Sequence, residues 1–141
     1  MTLKVGTSYI LQNVYTGNLI SMNNGLIAFA GPSPVTGPAL EAWEPILQEA
    51  ENYQFRNPQT DCVIAGWPDG RIFGYAGAAS PDQSWTTTAA PGHADTFILR
   101  NLDNHLYLGD LNGCGVSGPL TGGRWVDPYH AARYYWHFQA I

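Results

Sequence analysis

The stretch LYLGDLNGCG, Leu106 to Gly115, places an acid, Asp110, at the end of an apolar segment, with Asn112 two residues later. Trp125 follows 15 residues after Asp110, and Tyr129, His130 and Arg133 crowd the sequence just beyond it. Together these are the groups that hold a monosaccharide. A carboxylate accepts hydrogen bonds from neighbouring hydroxyls, an aromatic ring lies under a patch of C–H groups, and a side-chain donor sets the orientation. A poorer set of the same kind, Trp67, Asp69 and Tyr75, lies in the middle of the chain. Each residue also has a plainer reading. Asp110 could cap a strand end, Asn112 and Asp69 precede glycines in turn dipeptides, and Arg133 could pair with Asp127 on the surface.

Other chemistry finds little support. The serine in GCGVSG lacks the Gly-x-Ser-x-Gly elbow and its strand–turn–helix setting. His93, His105, His130 and His137 show no helical i, i+4 pairing for a metal, and no cofactor-binding pattern is present. A glycosidase needs two carboxylates flanking one bond, and only Asp110 stands in a suitable place, so the expectation is a protein without enzymatic activity. A net charge of −5 and a pI near 5.1 leave no basic stripe for nucleic acid. No apolar run is long enough for a membrane span, and MTLKVGTSYIL lacks a signal-peptide pattern. These readings predict a cytoplasmic or non-classically exported chain. Cys62 and Cys114 show no metal-ligand spacing and read as two thiols in a reducing compartment, with one bridge as the alternative.

The elements that must position the candidate residues come from a repeat. YILQN, YQFRN and FILRN begin at residues 9, 53 and 97, 44 apart both times. Each alternates apolar and polar residues, which is strand behaviour. A second apolar segment follows each phrase (NLISM, CVIAG, LYLGD), then a glycine turn (Asn24-Gly25, Asp69-Gly70, Asn112-Gly113), then a third strand (LIAF, RIFGY, CGV). Trp43, Trp85 and Trp136 close the units. Sixteen glycines and ten prolines suit a chain that turns often. The segment PALEAWEPILQEAEN has good helix formers, but Pro45 in its middle makes it strand and loop. Three units of four strands predict an all-β chain, a β-trefoil in one domain over 1–141, with repeats at about 6–49, 50–93 and 94–141. Leu11, Phe55 and Leu99, with Ile20, Ile64 and Leu108, are the expected core, joined by the three tryptophans.

With these phrases in place the chain resembles the ricin B-type β-trefoil lectins, particularly the small one-domain kind from mushrooms. Tyr9-Ile-Leu-Gln-Asn-Val-Tyr-Thr-Gly17 matches the family's opening phrase, and Gln83-Ser-Trp85 its Gln-x-Trp signature, which is degraded to Glu41-Ala-Trp43 and Tyr134-Tyr-Trp136. The resemblance implies a lectin for terminal galactose or N-acetylgalactosamine, acting mainly through repeat three, with a defence role in a fungal fruiting body. In the family the acid ends the second strand and the stacking aromatic lies on the third, which implies these roles for Asp110 and Trp125. The family's usual Asn is absent near Ala132 and Arg133, so Arg133 or His130 would donate instead. Asp110 has Met22 and Gly66 as repeat-mates, and this asymmetry favours a ligand role for it. Partners would be glycans of glycoproteins or glycolipids, with no nucleic acid and no membrane insertion. Pairing of sites, or of subunits in a homodimer, would supply avidity. The rival reading is a protease inhibitor of the mushroom cospin and clitocypin type, presenting Asn23–Gly25 or Arg71 to an enzyme cleft.

Overall fold

A computed structural model describes residues 3–23, 27–31, 40–76, 81–110, 118–119, 121–123 and 128–141. The described residues form thirteen strands: β1 (Tyr9–Asn13), β2 (Leu19–Asn23), β3 (Ile27–Gly31), β4 (Glu44–Glu49), β5 (Asn52–Arg56), β6 (Val63–Gly66), β7 (Ile72–Tyr75), β8 (Trp85–Ala89), β9 (Thr96–Asn101), β10 (Tyr107–Gly109), β11 (Gly118–Pro119), β12 (Thr121–Gly123) and β13 (Tyr135–Ala140). Short 3-10 segments cover Pro81–Gln83 and Pro128–Tyr134. No helix among the described residues is long and apolar enough to cross a membrane.

Six strands close a barrel. Within each repeat the first and last strands meet at matched pairs, Tyr9 with Trp43, Tyr53 with Trp85, and Phe97 with Trp136. Between repeats the last strand of one pairs with the first of the next, through Glu44 with Arg56, Thr86 with Arg100, and His137 with Gln12. The ring therefore runs β1, β4, β5, β8, β9, β13 and back to β1. Closure gives each strand of this ring a neighbour on both sides. Each first strand also pairs with its second, through Gln12 with Leu19, Arg56 with Val63, and Arg100 with Tyr107. The architecture is a β-trefoil.

The turn after each first strand is built identically. Asn13, Asn57 and Asn101 are buried, and each Oδ1 accepts from backbone N–H groups two and three residues on. Asn suits this position because its short amide satisfies a turn's backbone groups at no cost in chain length. Each Nδ2 then donates to a distant carbonyl, those of Arg133, Ala42 and Asp82. The turns end in the left-handed conformation at Gly17, Asp61 and His105.

The expected core is the observed one. Leu11, Phe55, Leu99, Ile20, Ile64 and Leu108 each have 0% exposure. Each of the three core indoles donates its N–H to a carbonyl of the second strand: Trp43 to Ile20 at 3.0 Å, Trp85 to Ile64 at 2.8 Å and Trp136 to Leu108 at 2.9 Å. A buried tryptophan needs such a partner. The symmetry breaks near the axis. Phe138 touches the rings of Tyr9, Phe55 and Phe97 at 5.3–5.7 Å, whereas its repeat-mates are Pro45 and Thr87. One large ring packs where three would collide.

One expectation about the hairpins changes. β10 pairs with Thr121–Gly123, not with CGV, so residues 110–120 separate the two strands. A tight Asn112-Gly113 turn therefore does not join β10 to its partner, because the pairing lies too far downstream. Cys114, Asn112 and the Asn24-Gly25 turn lie outside the described residues. In repeat two the turn spans Trp67–Gly70, with the Gly70 N–H donating to the Trp67 carbonyl at 3.0 Å. Pro68 fits the second position of such a turn, and Gly70 takes a φ of 91° that favours glycine. PALEAWEPILQEAEN contains β4 as expected, with Pro45 paired to Phe55.

Candidate functional site

Asp110 follows β10 and is completely buried. Its Oδ2 accepts from the Thr16 hydroxyl at 2.5 Å and from Asn18 Nδ2 at 2.6 Å. Its backbone N–H donates to the Arg133 carbonyl at 3.0 Å. Thr16 and Asn18 belong to the turn of repeat one, so this carboxylate ties the third repeat to the first. The corresponding joint between repeats two and three is made by Asn104, whose Nδ2 donates to the Gly66 carbonyl at 2.9 Å. A carboxylate with no exposed surface and two protein donors on one oxygen is a joint between repeats. With no exposed surface, it is not open to a sugar hydroxyl in this conformation.

The asymmetry that favoured a ligand role for Asp110 has a structural counterpart. Met22 is 1% exposed and belongs to the core. A Cβ at Gly66 would stand 3.0 Å from both Asn101 Nδ2 and the Trp85 ring, leaving an acid no room. Asn18 is likewise unrepeated, its mates being Cys62 and Leu106. Two unrepeated polar residues on neighbouring repeats were the signal by which their pairing could have been found.

Around this joint, the guanidinium of Arg133 lies over the Tyr15 ring, 4.5 Å from its centroid, and Tyr15 is 41% exposed. The backbone of Tyr129 and His130 runs along the 3-10 segment Pro128–Tyr134. Trp125 and Asp127 lie outside the described residues.

The second set is brought together more openly. Strand register puts Trp67, Arg71, Phe73 and Tyr75 on one face of the β6–β7 hairpin, since Ala65 opposes Phe73 and Val63 opposes Tyr75. Trp67 is 43% and Tyr75 50% exposed. The Trp67 ring packs on Phe73 with centroids 4.7 Å apart, and the Arg71 guanidinium lies 4.6 Å above Trp67. Asp69 grips Arg71 twice, accepting from its backbone N–H at 3.0 Å and from Nε at 2.6 Å. The Arg71 backbone N–H, followed by its guanidinium, holds the Asp69 carboxyl below the usual carboxylate range. The hairpin thus carries an exposed aromatic shelf edged by a fixed cation and anion. Phe73 and Arg71 were absent from the sequence-based sugar set, although period-two alternation along β7 would have placed both beside Trp67.

No protein-family profile matches the chain, and no curated protein matches it. Solved structures do, and they define it as a β-trefoil. The BEL β-trefoil superposes with a TM-score of 0.81 at 12% identity, covering 100% of this chain and 97% of that one. The designed threefold-symmetric protein ThreeFoil gives 0.79 at 11% identity, with coverages of 95% and 99%. The Polyporus squamosus lectin, solved with the epitope Neu5Acα2-6Galβ1-4GlcNAc, gives 0.78 at 16% identity, covering 99% of this chain and 51% of that one. Identities this low establish the fold alone.

Proposed function

We propose that the protein is a carbohydrate-binding lectin for terminal galactose or N-acetylgalactosamine-type glycans. The observation that carries this reading is the exposed Trp67 ring, packed against Phe73 and Arg71, beside the Arg71-bound carboxylate of Asp69. A sugar's C–H face stacks on the part of Trp67 that Arg71 and Phe73 leave exposed, and Asp69 and Arg71 then meet its hydroxyls. Lectins among the structural neighbours, one solved with a glycan in place, support the reading by analogy. A second station in repeat three would use Arg133, Tyr129, His130, Trp125 and Asn112, and Asp110 joins Arg133 of that repeat to repeat one.

The inhibitor reading through Arg71 is weaker for a physical reason. Arg71 is bound to Asp69 and flattened over Trp67, so it does not project as a side chain that fills an enzyme pocket. The test is a glycan array with wild type and Trp67→Ala, beside trypsin and papain inhibition. Binding to galactose-terminated glycans that falls about two- to ten-fold in Trp67→Ala is expected, since aromatic stacking contacts are worth about 0.5–1.5 kcal/mol. Nanomolar protease inhibition with no glycan bound would overturn it.

A further inference from the structure

The threefold symmetry of the barrel exposes a charge that one repeat balances and the next does not. Arg56 of β5 faces Glu44 across the strand pair and Asp61 at the end of its turn, with Nη2 3.2 Å from Glu44 Oε2 and Nη1 3.5 Å from Asp61 Oδ1. Arg100 occupies the same place in β9. Its cross-strand partner is Thr86, and the left-handed turn residue beside it is His105. Both acids are therefore missing. Among the described residues the ion pairs are Arg56 with Glu44 and Asp61, and Arg71 with Asp69; Arg100 makes none. Its Nε donates to the His105 carbonyl at 3.2 Å, and its guanidinium lies 5.7 Å from the centre of the Tyr107 ring. These contacts orient the guanidinium without neutralising it.

Arg100 also borders a groove of about 340 Å³ on the barrel flank, lined with Thr86, Thr88, Ile98, His105 and Tyr107. That volume lies at the lower end for ligand sites. We infer that this groove binds the carboxylate or sulfate of an acidic sugar, with Arg100 replacing the lost intramolecular acids by the ligand's own. The planar guanidinium suits an oxyanion because it can donate two parallel hydrogen bonds. The Thr88 hydroxyl suits a sugar hydroxyl, Thr86, whose own hydroxyl donates to Asn52 Oδ1 at 2.8 Å, can accept from a neighbouring one, and Ile98 offers an apolar contact. The inference rests on the lectin reading but uses none of the residues of the β6–β7 hairpin.

An array of neutral, uronate-terminated and sulfated glycans, probed with wild type, Arg100→Gln and the double variant Thr86→Glu/His105→Asp, tests it. The double variant rebuilds on Arg100 the acid pair that Arg56 carries, and thermal melts check that each variant is folded. Wild type should prefer one acidic class over neutral glycans, and the two arms distinguish uronate from sulfate. Both variants should lose at least ten-fold of the acidic signal and keep the neutral signal. Acidic binding that survives Arg100→Gln or the double variant, or the absence of any acidic preference, overturns the inference while leaving neutral binding to support the lectin reading. A wild-type protein that binds no glycan overturns both.

Discussion

Replacing Asp110 by alanine separates a joint from a ligand contact. The carboxylate has no exposed surface and takes two short hydrogen bonds on one oxygen, from Thr16 and Asn18, which are themselves buried. Hydrogen bonds to charged groups are worth about 1.5–3 kcal/mol each. Alanine removes both and leaves two buried donors without this acceptor, offset by the hydration cost of the carboxylate that the mutant no longer bears. A net loss of about 3 kcal/mol follows. At about 3 °C per kcal/mol for a chain of this size, the melting temperature should fall by about 10 °C. Urea unfolding gives the free energy directly, and a cycle with Asn18→Ala should show a coupling of about 1–3 kcal/mol, because the two side chains share one contact. A surface acid behaves differently, its removal costing about 0.5 kcal/mol or less. Melting within about 2 °C of wild type, with Asn18→Ala strictly additive, would refute the joint.

Three further outcomes follow from the same geometry. Gly66→Ala should cost about 1–3 kcal/mol in urea unfolding, because its Cβ enters a space bounded at 3.0 Å by Trp85 and Asn101, and both are held by hydrogen bonds. Trp43→Phe, Trp85→Phe and Trp136→Phe should each cost about 2–3 kcal/mol and agree with one another, since each leaves an equivalent buried carbonyl unpaired; one variant near zero would break the argument from symmetry. Burial, and then the charge of Glu51, push the Tyr53 hydroxyl up, and burial pushes Tyr134 up. The folded state therefore keeps protons that the unfolded chain gives up. Stability is complete below the ordinary tyrosine range near pH 10 and is lost as pH rises through the folded values. Phenolate absorbance should show two tyrosines ionising late, and Tyr53→Phe should flatten the alkaline loss of stability.

The period of 44 residues, the strand alternation and the three tryptophans were legible because each is local or repeated. Asn13, Asn57 and Asn101 act on their own turns, and Leu11, Phe55 and Leu99 face inward by strand parity alone. One sequence determined all of that, since backbone hydrogen bonding and apolar burial operate over a few residues at a time. The role of Asp110 was not legible in the same way. Its partners stand 94 and 92 residues away, and only closing the barrel brings repeat three against repeat one. The same closure decided which of Pro45, Thr87 and Phe138 fills the axis, and which of two equivalent arginines keeps its acids. Each of these depends on how neighbouring repeats meet. A repeat read alone contains no neighbour, so the differences among repeats acquire their meaning only in the assembled ring.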